Sequence, residues 1–76
     1  MPHVDIKCYP GKTEEQKQRL ADKIAEDVAE IFGCKLTSVS VSVNDIPQEE
    51  WKEKVWDVYI VKEKEKLYKE PGYTME

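Results

Sequence analysis

Two short runs of alternating polar and apolar residues, separated by one amphipathic stretch, limit what this chain can become. From Pro2 to Tyr9, Val4, Ile6 and Cys8 fall on one side and His3, Asp5 and Lys7 on the other, the period of a half-buried strand. Val39-Ser40-Val41-Ser42-Val43 alternates again, with β-branched residues that favour a strand. Pro10-Gly11 ends the first run. Thr13 and Gln16 then have the spacing of a capping box, with Glu14 and Glu15 in a first turn whose dipole favours negative charge. Leu20, Ala21, Ile24, Ala25, Val28, Ile31 and Phe32 recur at helical spacing and form one apolar stripe, while Lys17, Lys23, Glu26 and Glu30 are expected to face water. Gly33 is placed to end the helix in the left-handed conformation. A strand, a helix of about five turns and a strand form a βαβ unit, whose crossover makes the strands parallel.

Such a unit covers only one face of its sheet, and two strands alone do not stabilise themselves. With 76 residues, the chain is expected to form a single domain, 1–76, with little core to spare. The reading is therefore α/β (α+β overall): a βαβ unit with short C-terminal helices, its sheet completed by a second copy in a homodimer. The sheet face away from the helix and the C-terminal tail are the expected interface.

After the second strand, Pro47 sets up a short helical turn across Glu49, Glu50 and Trp51. Asp57 to Lys69 suits a last helix, with Val58, Tyr59, Ile60, Val61 and Leu67 making the apolar contacts and Lys62-Glu63-Lys64-Glu65-Lys66 on a solvated face. Pro71-Gly72 ends it and begins a short tail.

Composition narrows function by exclusion. The formal net charge is −4 and Arg19 is the only arginine, which argues against a nucleic-acid partner, since phosphate binding needs concentrated positive charge. No run has the length of a signal peptide or membrane span, so a cytoplasmic protein with no membrane partner is expected. Cys8 and Cys34 are too far apart in sequence for a metal or redox pair, and His3 has no second histidine to join it. No metal site is expected, and both cysteines read as small buried hydrophobes. Nucleophile elbows, phosphate loops and evident triads are also missing.

What remains is Pro2. An initiator methionine before a small residue such as proline is normally removed, leaving a secondary amine at the chain start. Retained Met1 would instead make that nitrogen an amide without a basic lone pair. Burial beside a cation disfavours the charged form of an amine and tunes it toward a general base at neutral pH.

Pro2 before an alternating strand, then Gly11-Lys12-Thr13-Glu14-Glu15-Gln16-Lys17, a helix, and Leu36-Thr37-Ser38-Val39 entering a second strand, resembles the tautomerase superfamily of 4-oxalocrotonate tautomerase type. The order and spacing of these pieces carry the resemblance from Pro2 to about Trp51. Trp51, Trp56-Asp57 and Pro71-Gly72-Tyr73 look more like the longer, dimeric bacterial branch acting on phenylenolpyruvate.

The resemblance implies a cofactor-free keto–enol tautomerase with a small enol or keto acid as substrate. Pro2 would be the catalytic base, Lys12 would stand for a substrate-binding arginine, and Trp51 for an aromatic that walls the pocket. Ser40 stands where short members carry a second arginine, so a dicarboxylate would lack one clamp. An arylenolpyruvate or 2-hydroxydienoate carrying one carboxylate fits better. Lysine also offers a point charge in place of a bidentate fork.

Plainer readings stand beside these. Lys12 also suits a solvated loop, Trp51 the core or an interface, Ser40 an outward strand position, and His3 a surface or dimer contact. Two other functions are weighed: a hydratase or dehalogenase of the same superfamily, which would need more than the single Arg19 to activate water, and a non-catalytic dimerisation module with the same fold.

Overall fold

A computed structural model describes residues 1–76. Strand β1 (His3–Cys8) pairs in parallel with strand β2 (Ser40–Asp45), and helix α1 (Glu14–Phe32) makes the crossover. The register sets His3 beside Ser40, Asp5 beside Ser42 and Lys7 beside Asn44, with Val4, Ile6 and Cys8 beside Val41, Val43 and Asp45.

Local chemistry sets the ends of α1. The Thr13 hydroxyl accepts the Gln16 backbone N–H at 3.1 Å, and Gln16 Oε1 accepts the Thr13 N–H at 2.9 Å, completing the expected capping box. At the other end Gly33 has φ 70° and ψ 38°, the left-handed region that a side chain would strain, and its N–H donates to the Ala29 carbonyl.

The two faces of the sheet differ in kind. Ile6, Cys8 and Val43 line a cavity on the α1 side together with Gln16, Lys17 and Leu20, and Lys17 crosses to Asp45 at the end of β2 with 3.0 Å between Nζ and Oδ2. Lys17 is thus not one of the water-facing residues: its side chain is 17% exposed. The face away from α1 is polar throughout, with His3, Asp5, Lys7, Ser40, Ser42 and Asn44 bonded to one another.

The last helix differs from expectation. It runs Lys52–Val61 instead of Asp57 to Lys69, and it is a π-helix closed by i→i+5 bonds such as Lys62 N–H to the Asp57 carbonyl. Lys64–Lys66 forms a separate turn, so the charged run does not extend the helix. The reason lies in the apolar spacing: Trp51, Trp56 and Val61 stand five apart, as do Val55 and Ile60. A wider turn sets residues five apart closer to one face than an α-turn does. Val55 and Trp56 are the two buried residues of the chain, whereas Val58, Tyr59 and Val61 are exposed.

Neither Cys8 nor Cys34 is fully buried, because one helix over two strands cannot enclose them. The same shortage is global. Accessible surface is 6154 Å², against about 4,800 Å² for a folded monomer of this mass. The radius of gyration is 13.9 Å, against about 11.4 Å for a compact chain of this length. Much of the uncovered apolar surface lies at the end of α1, where Ile31 is 79% and Phe32 72% exposed, and in the C-terminal segment. No helix is long and apolar enough to cross a membrane.

Candidate active site

Pro2 precedes β1 and is partly exposed. Its carbonyl accepts the backbone N–H of Ser40, the first residue of β2, at 3.2 Å, which extends the ladder one residue ahead of β1. The Ser40 hydroxyl pairs with His3 Nδ1 at 2.7 Å. Of the residues singled out in the sequence, Ser40 is therefore the one brought to Pro2, and His3 joins it there.

Lys12 and Trp51 are elsewhere. The six residues of β1 separate Pro2 from the Tyr9 end, a span of about 20 Å at roughly 3.3 Å per residue. Lys12 follows that far end and borders a cavity of about 280 Å³ with Ile6, Cys8, Gln16 and Leu20. Within one chain Lys12 does not reach the Pro2 nitrogen.

Trp51 lies at the same end of β1 as Lys12. An open groove of about 460 Å³ is lined by Lys7, Cys8, Tyr9, Trp51 and Tyr73. Tyr9 meets Trp51 edge to face, with centroids 5.1 Å apart at 87°, a favoured aromatic geometry. The Trp51 indole N–H donates to Tyr73 Oη at 3.1 Å. The sequence reading gives no site role to Tyr9, Lys7 or Tyr73, although Pro71-Gly72-Tyr73 is part of the resemblance. Tyr9 ends an alternating run and Lys7 reads as an outward strand lysine, while Tyr73 lies 22 positions from its partner, beyond any local pattern.

Charge is concentrated along the polar sheet face. Asp5 accepts from Ser42 at 2.7 Å and from Asn44 at 2.5 Å, and it pairs with Lys7. The Lys7 ammonium, aided by the Ser42 and Asn44 donors, holds the Asp5 carboxyl at about 2. The Asp5 carboxylate in turn raises Lys7, whose Nζ also lies 4.4 Å over the Tyr59 ring. No group of three or more His, Cys, Asp or Glu is gathered in a way that could hold a metal ion. Arg19 is on the outer surface of α1, in a shallow depression with Gln16, Asp22 and Glu26.

The structure presents a parallel βαβ unit with a proline just ahead of its first strand, and comparison with known sequences gives the class. The Tautomerase enzyme family profile matches residues 2–53. The chain is 50% identical to Tautomerase PptA of Enterobacter sp. (strain 638), over 99% of its own length and all of the relative's. It is 41% identical to Tautomerase PptA of Escherichia coli O127:H6, with the same coverage. Against a probable tautomerase of Xylella fastidiosa identity is 37%, over 96% of this chain and 89% of the relative. The chain belongs to the tautomerase family. It is an isomerase with tautomerase activity.

Proposed function

We propose that this chain is a cofactor-free keto–enol tautomerase of an arylenolpyruvate or 2-hydroxydienoate, with Pro2 as general base after Met1 removal, acting as a cytoplasmic homodimer. The observation that carries the reading is the place of Pro2: the family match begins at this residue, and Ser40 holds its carbonyl at the mouth of the sheet. The freed secondary amine takes the proton of the enol hydroxyl. As that O–H bond breaks, its electron pair becomes the C=O bond and the carbon–carbon double bond opens. The protonated Pro2 then delivers the proton to carbon. One proton leaves oxygen and one arrives at carbon, so no co-reactant is consumed.

Substrate binding requires the second copy. A two-fold axis perpendicular to the strands would bring the start of β1 in one copy beside its end in the other, so that Pro2 faces the other copy's Trp51 groove and Lys12. Lys12 would then attract the carboxylate while aromatic side chains receive the rest of the molecule; Ser40 would lie within reach of the substrate oxygen. Burying the roughly 1,300 Å² of excess surface on each chain gives a total in the homodimer range of about 2,000–5,000 Å².

The test is the ultraviolet decay of phenylenolpyruvate with purified protein whose intact mass shows Met1 removed. Pro2→Ala should lower the rate by about 10²- to 10⁴-fold, the usual share of positioned acid–base catalysis. Equal rates for the two proteins would overturn the assignment of Pro2.

A further inference from the structure

Tyr73 is the only residue of the C-terminal tail that lines the groove around Trp51. It does so with both of its chemical parts. Its ring leans on Trp56, one of the two buried side chains, at 5.3 Å and 35°. Its oxygen accepts the indole N–H of Trp51 at 3.1 Å. The tail is thereby anchored in the core and reaches from there to the groove. On its other side Trp51 is braced by the edge-to-face contact with Tyr9.

An indole held at its nitrogen by one tyrosine and braced by another cannot turn about its side-chain torsions without breaking one of these contacts. Such a fixed ring is what a planar aryl group needs for stacking, because offset and edge-to-face geometries are specific in angle and distance. An alkyl chain makes no such demand. The groove volume of about 460 Å³ falls in the range of small-molecule sites, and Lys7, its ammonium already paired with Asp5, forms part of the wall.

We propose that Tyr73 is a positioning residue that locks Trp51 as the stacking platform for the aromatic ring of the substrate, and so makes this enzyme favour aryl over alkyl enol acids. The proposal deepens the reading given above and rests on it for the substrate class, although the platform itself is testable by binding alone.

The experiment measures the affinity of two unreactive acids, 3-phenylpropionate and hexanoate, by tryptophan fluorescence and calorimetry. Wild type, Tyr73→Phe, Trp51→Phe and the double variant are compared, together with their KM and kcat on phenylenolpyruvate. Tyr73→Phe keeps the ring on Trp56 and removes only the acceptor oxygen. It should weaken 3-phenylpropionate by about two- to tenfold, the cost of ordering one freed side chain on binding, raise KM by a similar factor, and leave hexanoate and kcat nearly unchanged. In the Trp51→Phe background, which has no indole N–H, the same change should add nothing. An unchanged aryl-to-alkyl ratio in Tyr73→Phe, or an equal loss in the Trp51→Phe background, would overturn the proposal. Pro2→Ala serves as the separate control: full activity there would refute the catalytic reading and leave the binding results to decide the platform.

Discussion

Lys17 and Asp45 join the helix to the sheet, Nζ to Oδ2 at 3.0 Å, where β2 ends. The Asp45 carboxylate raises the Lys17 ammonium above its ordinary value, outweighing the opposing effect of its partial burial. A cation with a raised folded-state pKa stabilises fully below the unfolded value, roughly 10.4, and ceases to do so as pH climbs through the higher folded value. Thermal midpoints should therefore fall at strongly alkaline pH. Lys17→Met should be less stable than wild type at neutral pH, with the gap narrowing above about pH 10.4.

The acid limb should be governed in part by Asp5. Its folded carboxyl titrates at about 2, below the unfolded value of roughly 3.9. The stabilisation is present above that unfolded value and disappears as pH falls through about 2. Asp5→Asn should lower the midpoint at neutral pH and lose part of the wild type's decline between pH 4 and 2, followed by circular dichroism.

Two substitutions at the ends of α1 test the helix itself. Thr13→Ala removes the capping hydroxyl and should cost about 1 kcal/mol. Gly33→Ala places a side chain at φ 70° and should cost about 1–2 kcal/mol. Gly72→Ala, where φ is not positive and a Cβ would meet nothing within 4 Å, is the neutral control. Urea unfolding measures all three.

Self-association should leave a thermodynamic trace. If two copies cover one another, the thermal midpoint rises with protein concentration, and light scattering gives twice the chain mass. Tyr68→Glu, at an exposed apolar site of the C-terminal segment expected in the interface, should shift the equilibrium toward monomer. A concentration-independent midpoint with a monomeric mass would refute the dimer.

The βαβ unit is legible in the sequence because each part depends on near neighbours: alternation in the strands, three residues between Thr13 and Gln16, and a glycine at the helix end. The C-terminal half is less so. A five-residue apolar period is visible once Trp51, Val55, Trp56, Ile60 and Val61 are counted together, but that pattern is rare and overlaps an ordinary helical reading from Asp57 onward. The meeting of Trp51 with Tyr73, and the distance of Lys12 from Pro2, are properties of three-dimensional placement. Pro2 and Ser40 are connected by strand register, which alternation alone does not determine.

The wide helix makes the tail sensitive to chain length in a way a loop would not. Each of its turns holds more residues than an α-turn, so deleting one residue between Lys52 and Val61 would let it relax to the commoner form. The direction in which the chain leaves the helix depends on both its width and its residue count, so either change would re-aim everything downstream. Tyr73 would leave Trp51, though no residue of the groove had been altered. Descent with insertions and deletions is therefore constrained here: a length change in this helix can keep the tail in place only if another, before Pro71, undoes it.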